Sequence, residues 1–287
     1  VTASDLLRTP METFKSGREP RSGSSRYKNK YDDLDWTVAI AIVVIAVLAF
    51  FFAPKVLAQT QQKKKAGGKR RLRPPEPFSS IVEVQQAIRK EGLESCNLIL
   101  AIDFTRSNQW NGTKTFDGKS LHDTSGKVEN PYQRVMSAVA RTLQPFDEDN
   151  IIPTYGFGDV ETKENNCFPF FPNRHCHGLG EVLERYNEIA SGIQMSGPTS
   201  FAPCIRKAVQ LVKEEKSFHV LVIIADGQVD RRDETIRAIV EASAYPMAIV
   251  VIGVGDGPWE DMIEFDDDLP QRDFDNFQFV DFHAIER

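Results

Sequence analysis

The chain has 287 residues, of which 41% are hydrophobic and 26% charged, a composition that allows one large globular domain with appendages. Its net charge of -6 is unevenly distributed: residues 1–77 carry 15 Lys and Arg against 7 Asp and Glu, whereas residues 78–287 carry 20 against 34. This acidic balance excludes nucleic acid as the expected partner of the C-terminal part, because phosphate contacts need clustered Lys and Arg.

The first 77 residues contain one apolar run between two polar segments. Residues 1–35 are rich in Ser, Arg, Lys and Asp, a composition that predicts disorder. Residues 36–53 form an uncharged run of 18 residues, near the lower limit of the ~20 that a membrane-spanning helix needs. We interpret this run as a single transmembrane helix. Residues 54–77 form a basic linker that we expect to lie against anionic lipid.

The charges beside the apolar run predict its orientation. Three aspartates precede it, and eight Lys and Arg follow it between residues 55 and 73. The positive-inside rule then predicts a single-pass membrane protein whose C-terminal domain is cytosolic. A signal peptide cleaved near residues 56–59 and a buried core helix are the alternatives. In the predicted orientation the sequon at Asn111, which we expect to be exposed, stays unglycosylated.

Residues 78–287 are predicted to form one domain of alternating strands and helices. Strands are predicted at 97–103, 151–158, 167–171, 219–226, 247–253 and 277–282. Helices are predicted after Ser80, from Pro131, and around 179–189, 205–212 and 236–240. Continuous apolar strands between amphipathic helices indicate an α/β fold, with a doubly wound and mostly parallel sheet covered by helices on both faces.

Two of the predicted parallel strands end on aspartates, Asp103 and Asp226. In such sheets ligands bind beyond the carboxyl ends of the strands. Thr105 and Ser107 alternate after Asp103, and Thr199 precedes a predicted helix. Two carboxylates and three hydroxyls form a hard-oxygen site that suits Mg²⁺ or Mn²⁺. Since hydroxyls are neutral, the ion would keep positive charge, and an open position would favour an Asp or Glu carboxylate of a protein partner.

This pattern resembles the metal-ion-dependent adhesion site of von Willebrand factor A domains, written D-x-[ST]-x-S, then Thr, then Asp. The wider sequence is similar to the copine family, and especially to the copine-like RING ubiquitin ligases of plants. The segments that carry this resemblance, over roughly residues 78–282, are AIDFTRSN, NPYQ, PFDEDNIIPTYGFGD, GPTSFAP, HVLVIIADGQV, YPMAIVVIGVGDGPW and FDNFQFVDF.

The resemblance implies a Rossmann-like A-domain fold with a metal-dependent protein-binding face. Carried over residue by residue, it implies the metal ligands Asp103, Thr105, Ser107, Thr199 and Asp226. It also implies an alternative, the substrate-recruiting part of an E3 ubiquitin ligase. We expect no enzyme activity from these residues, and ubiquitin transfer only if a RING domain follows in the full-length protein. A metal-dependent hydrolase remains a further alternative, although Thr105 stands where a general acid would be expected.

Three other motifs have simpler structural interpretations. The four cysteines form no CxxC pair, and the segment CFPFFPNRHCH, residues 167–177, suggests unpaired thiols rather than a zinc site. The glycines of VVIGVGDGPW lack the spacing of a dinucleotide fingerprint and are interpreted as a turn. The acidic stretch from Glu260 to Asp268 lacks the spacing of a calcium loop and is interpreted as a solvated helix end.

Overall fold

The computed structural model describes residues 95–267, 269–270 and 272–285, together with helical positions 85, 86 and 89. The predicted disordered segment 1–35, the apolar run 36–53 and the basic linker 54–77 lie outside these residues, as does most of the helix predicted after Ser80.

A six-stranded sheet forms the centre of the domain. Its strands lie in the order β4-β3-β1-β6-β7-β8, and a separate two-stranded ribbon joins β2 and β5. The strands are β1 (Asn97–Asp103), β2 (Ile151–Ile152), β3 (Thr154–Phe157), β4 (Phe168–Pro169), β5 (Cys176–His177), β6 (His219–Ala225), β7 (Met247–Gly253) and β8 (Phe277–Asp281). All neighbours in the six-stranded sheet are parallel except β4, which pairs with β3 in antiparallel register.

Within residues 95–285, as far as the structure describes them, six α-helices connect or follow these strands. They are α1 (Pro131–Leu143), α2 (Gly178–Ala190), α3 (Ala202–Glu215), α4 (Arg232–Ala242), α5 (Glu260–Asp267) and α6 (Phe282–Ile285). Helix α1 begins where the Asn130-Pro131 pair predicts, because Asn130 and Gln133 cap its first turn reciprocally and Pro131 needs no amide hydrogen there.

The helices cover both faces of the sheet. Leu98, Leu100 and Ile102 of β1 pack in a cluster with residues of α1 and α2. Ile99 and Ala101, which alternate with them, pack in a second cluster with residues of α3, α4 and α5. Alternate β1 side chains therefore enter two different cores, which explains why the central strands are continuous apolar runs in the sequence.

The sequence-based prediction of the α/β sheet is confirmed, with small differences at its edges. The strand predicted at 151–158 is divided into β2 and β3 around Pro153, which has no amide hydrogen to donate. The segment with Pro169 forms the antiparallel edge strand β4, as expected for a strand that contains proline.

The predicted fold class needs one correction, which concerns the membrane. Within the part of the chain that the structure describes, no helix has both the length and the apolar character required to cross a bilayer. The apolar run 36–53 lies outside that part. The structure supports the α/β domain alone, and the prediction of a transmembrane helix, with the single-pass membrane location that depended on it, is wrong.

Candidate metal centre

The two predicted aspartates lie together at the carboxyl edge of the sheet. Asp103 is the last residue of β1, and Asp226 directly follows β6. These strands are paired in parallel, with Ile102 opposite Ile224. Both carboxylates are buried, with 0% of Asp103 and 1% of Asp226 exposed. Parallel pairing thus brings two negative groups from distant parts of the sequence into one buried position.

A series of hydrogen bonds through two hydroxyls connects the carboxylates. The backbone N–H of Thr105 donates to Asp103 Oδ1 at 2.7 Å. The Thr105 and Ser107 hydroxyls are 3.1 Å apart, and Ser107 Oγ donates to Asp226 Oδ1 at 2.9 Å. The spacing Asp-x-Thr-x-Ser therefore aligns both hydroxyls with the carboxylates, as expected from the sequence.

The second oxygen of each carboxylate has no hydrogen-bond partner among the described residues. Asp103 Oδ2 and Asp226 Oδ2 are both buried and unsatisfied. Burial raises the pKa of Asp226 to about 6, and burial together with the charge of Asp226 raises the pKa of Asp103 well above its usual range. Two buried, adjacent carboxylates with free oxygens destabilise one another unless a proton or a cation neutralises them. The donor set therefore fits a small divalent cation.

Thr199 lies on the loop next to this group. An isolated bridge pairs Thr105 with Ser196, which brings the loop alongside the residues after β1. Thr199 is 7% exposed, and its backbone is fixed by Asp230: its N–H donates to Asp230 Oδ2 at 2.8 Å, and its carbonyl accepts from the Asp230 N–H at 3.0 Å. The structure thus joins four of the five predicted residues by hydrogen bonds and places Thr199 on the adjacent loop, outside that set.

Three supporting residues were not predicted from the sequence. Asn108 is fully buried; its amide donates to the Thr105 carbonyl at 3.1 Å, and its oxygen accepts from the Tyr132 hydroxyl at 2.6 Å. His122 Nε2 lies 2.8 Å from the Asp103 carbonyl, and burial lowers the pKa of this imidazole to about 3. Both hold the turn after β1 in place. Asn108 lies inside the quoted motif, whereas His122 gave no local signal.

Asn111 is the third supporting residue, and its environment corrects the expected exposure of the sequon. Its side-chain amide donates to the Asp226 carbonyl and, at 2.9 Å, to the Gly257 carbonyl. Its own carbonyl accepts from the Asp256 N–H at 2.9 Å. The half-buried Asn111 therefore connects the segment after β1 to those after β6 and β7, and its nitrogen is engaged rather than free for a glycan.

Gly158 lies close to Thr105 and Asp103 of the candidate centre. A Cβ on this residue would lie 2.3 Å from Thr105 Cγ2 and 3.4 Å from Asp103 Oδ1, and its φ of +82° belongs to the left-handed region. Only glycine fits this position without displacing Thr105.

The alternative metal sites find no support in the part of the chain described. No group of three or more His, Cys, Asp or Glu side chains within it is arranged to hold a metal ion. This applies both to the Cys167–His177 segment and to the acidic residues of α5. The candidate centre differs from such clusters because hydroxyls complement its two carboxylates.

Comparisons with known proteins agree with the resemblance noted in the sequence. The copine family model matches residues 120–287. The chain is 52% identical over 225 residues to the E3 ubiquitin-protein ligase RGLG4 of Arabidopsis thaliana, covering 74% of this chain and 56% of that protein. It is 47% identical over 212 residues to Copine family protein 2 of Caenorhabditis elegans, covering 72% of this chain and 3% of that protein.

The chain spans about half the length of the curated plant relatives that it matches. Among solved structures, manganese-loaded TRAP protein of Plasmodium vivax is similar with a TM-score of 0.46 and 13% identity, covering 68% of this chain and 72% of that chain.

Proposed function

The chain belongs to the copine family, and on that premise we propose that its α/β domain binds one divalent cation and, through it, an acidic side chain of a protein partner. The proposed cation is Mg²⁺ or Mn²⁺. Its proposed ligands are Asp103, Thr105, Ser107, Thr199 and Asp226. The observation that carries this proposal is the pair of buried, unsatisfied carboxylate oxygens at Asp103 and Asp226.

Burial energetics support the proposal. An ionised carboxylate without a partner is costly to bury, and a second one beside it increases the cost. A protein that keeps both therefore has to be stabilised by a neutralising species at that position. Oxygen donors, two of them charged, match the preference of small hard cations over that of zinc or copper.

The protein's own residues would determine selectivity for an acidic partner. Asp103 and Asp226 together supply two negative charges, while Thr105, Ser107 and Thr199 supply none. A divalent cation bound there with an open coordination position would accept a carboxylate oxygen from a partner protein. Asn108, Asn111 and His122 would keep the ligand-bearing turns in one arrangement.

Titration calorimetry with Mg²⁺ and Mn²⁺ tests the cation site in the 287-residue chain. Asp103→Asn and Asp226→Asn keep the side-chain volume but remove charge, so each should abolish a single binding event. Asp266→Asn is the matched control, because Asp266 is also a largely buried carboxylate but lies on α5, which carries none of the proposed ligands. Equal metal affinity in all variants would contradict the proposed ligands.

Affinity capture tests the acidic partner. Proteins retained by the immobilised chain in Mg²⁺ should be released by a chelator, and Asp226→Asn should retain none of them, whereas Asp266→Asn should retain all. Partners whose own Asp or Glu is changed to Ala at the contact should lose binding. Retention that is indifferent to both chelator and Asp226→Asn would contradict metal-dependent capture.

The plant relatives favour one wider role, which we propose for the full-length protein. Their names describe them as E3 ubiquitin-protein ligases, and in that setting this domain would recruit the substrate. Partners captured in a metal-dependent manner should then be ubiquitinated by the full-length protein with its activating and conjugating enzymes. If Asp226→Asn did not reduce that modification, ubiquitination would not depend on the proposed cation site.

A further inference from the structure

Trp110 is an exposed aromatic residue that follows the candidate centre closely in the sequence. It is 57% exposed, and within the described residues its ring belongs to neither hydrophobic cluster and pairs with no other aromatic ring. By contrast, Trp259 packs against Phe279, with 5.3 Å between the ring centroids. A single exposed hydrophobic residue is ordinary on a protein surface, so the surroundings of Trp110 decide whether it has a role.

Hydrogen bonds fix the backbone of Trp110 beside Ser107. Trp110 directly follows a 3₁₀ turn at Arg106–Gln109. Its N–H donates to the Ser107 carbonyl at 3.0 Å, and its own carbonyl accepts from the Thr113 hydroxyl at 3.0 Å. Three residues in this geometry complete one turn and advance the chain by only about 6 Å. Position 110 therefore returns to the side of the turn on which Ser107, a proposed ligand, lies.

Residues before and after Trp110 contact Asp226. Three positions earlier, Ser107 Oγ donates to Asp226 Oδ1 at 2.9 Å. One position later, the Asn111 side-chain amide donates to the Asp226 carbonyl. The Trp110 backbone is thus held between two residues that are bonded to a proposed ligand, and the exposed residue borders the candidate centre.

Val160 is a second exposed hydrophobic residue on a loop near the centre. Its N–H donates to the Gln194 carbonyl at 3.0 Å. Ser196, on the same segment as Gln194, pairs with Thr105 and donates its N–H to the Gly158 carbonyl at 3.0 Å. Exposed hydrophobic residues therefore lie on two of the loops that surround the candidate centre.

Arg106 adds positive charge to the same surface. It stands between Thr105 and Ser107, it is exposed, and its N–H donates to the Ser196 carbonyl at 2.6 Å. Among the described residues it forms no ion pair. A guanidinium stays charged at any physiological pH, so this position favours a negatively charged partner independently of a bound cation.

We propose that Trp110 is the hydrophobic anchor of the partner-binding surface, and that the partner segment carries an aromatic or large aliphatic side chain within two residues of its acidic side chain. This inference rests on the proposed function, because the cation would hold the acidic side chain. Two residues of an extended partner cover about 7 Å, which matches the short advance of the chain from Ser107 to Trp110.

Tryptophan suits this role for energetic reasons. It buries about 150–250 Å² when covered and is among the residues that contribute most to binding energy in protein interfaces. Because hydrogen bonds already fix the Trp110 backbone, little ordering is needed when a partner binds.

Selection from a random peptide library tests the composition of the partner segment. Peptides retained by the immobilised 287-residue chain in Mg²⁺ are eluted with EDTA and sequenced. Eluted peptides should be enriched in Asp or Glu with an aromatic or large aliphatic residue within two positions. The same selection on Trp110→Ala should still enrich the acidic residue but not its hydrophobic neighbour.

An enriched peptide carrying a fluorescent label then measures the anchor by fluorescence anisotropy. Trp110→Ala should lower its affinity by about 10-fold or more, whereas calorimetry should give the affinity of the unchanged chain for Mn²⁺. Trp110→Phe should keep most of the peptide affinity. Ile263→Ala is the control, since Ile263 is 52% exposed on α5, and it should leave both affinities unchanged.

The outcomes separate this inference from the proposed function. Acidic peptides without a hydrophobic neighbour, or full peptide affinity in Trp110→Ala, would overturn the anchor and leave the cation site in place. Loss of Mn²⁺ affinity in Trp110→Ala would also overturn it, because Trp110 would then act through the fold of the site. If EDTA eluted no peptide, or Asp226→Asn bound the peptides as tightly as the unchanged chain, the proposed function would fail and this inference with it.

Discussion

Ser107 donates a 2.9 Å hydrogen bond to Asp226 across 119 positions of the sequence. This contact joins the turn after β1 to the end of β6 and aligns the hydroxyl of one with the carboxylate of the other. Because Asp226 Oδ1 is the oxygen engaged, Oδ2 is left without a partner among the described residues. The same contact therefore fixes the position of the Asp226 carboxylate and leaves its Oδ2 buried and unsatisfied.

Ser107→Ala should weaken the proposed cation site without removing it. The change deletes the donor to Asp226 and one proposed ligand but leaves both carboxylates. Loss of a ligand-orienting group lowers metal affinity by about 10- to 100-fold, which titration calorimetry with Mn²⁺ can resolve. Ser125→Ala is the control, since the Ser125 hydroxyl bonds only to Asp123 in an exposed loop. Unchanged affinity in Ser107→Ala would argue against Ser107 as a ligand.

Asp226→Asn should change stability in opposite directions with and without metal. In chelator the substitution removes the buried negative charge of Asp226, and the raised pKa of Asp226, about 6, implies a gain on the order of 1–3 kcal/mol near pH 7.5. With saturating Mg²⁺ only the unchanged chain gains binding energy. Thermal unfolding in both buffers measures this. A variant that is less stable in chelator would contradict the cost assigned to burying the Asp226 carboxylate.

The central strands were predictable because their burial on both faces produces a recognisable pattern within a short stretch of sequence. β1 and β7 are buried on both faces, so each is a continuous apolar run, and their predicted bounds agree with the structure. The division at Pro153 needed the partner strands as well as the sequence, because β2 pairs with β5 outside the main sheet. A short strand beside a proline gives too weak a periodicity to separate it from its neighbour.

The sequence indicated which carboxylates and hydroxyls would meet at the candidate centre, but not which residues would hold them in place. Asp103, Thr105 and Ser107 alternate along a few residues, which a sequence reveals directly. His122 and Asn111 act through contacts with backbone carbonyls of other segments. Every residue has a backbone carbonyl, so the residue types do not indicate where such a contact will form. For the same reason, the polar surroundings of Asn111 suggested exposure when its amide was in fact engaged.

Gly158→Ala should destabilise the domain and weaken the cation site together. The added Cβ would clash with Thr105 at 2.3 Å, and its φ of +82° disfavours any residue with a side chain. Strain of this kind costs about 1–3 kcal/mol. Gly180→Ala is the matched control, because that glycine lies in α2 with no atom within 4 Å of the added Cβ. It should be neutral or stabilising by about 0.5–1 kcal/mol.

Urea unfolding and Mn²⁺ titration of both glycine variants check this prediction. If Gly158→Ala and Gly180→Ala behaved alike in both measurements, the close approach of Gly158 to Thr105 would not constrain the site. If Gly158→Ala lost stability but kept full metal affinity, Thr105 would be structural rather than a ligand.

Asp266 on α5 is expected to make stability fall as pH rises. Burial, with the nearby charges of Asp275 and Asp267, raises the pKa of Asp266 to about 7, against the opposing effects of the Phe279 backbone hydrogen bond and Arg272. An aspartate in the unfolded chain titrates near 3.9. Between these values the folded state holds more protons than the unfolded state. The contribution of Asp266 to stability is therefore largest at or below about pH 4. It declines as the pH rises and stops declining above about pH 7.

Asp266→Asn isolates this contribution, because the amide stays neutral across the whole range and remains close in shape. With about 1.4 kcal/mol for each unit of pKa shift, the variant should gain on the order of 2–4 kcal/mol over the unchanged chain at pH 8, relative to their difference near pH 4. The acceptor for Gln278 Nε2, 2.6 Å away, is retained by the amide oxygen. Urea unfolding in chelator at intervals from pH 4.5 to 8 measures the difference, and chelator excludes any contribution from metal binding. Parallel stability curves for the two chains would show that Asp266 titrates normally in the folded protein.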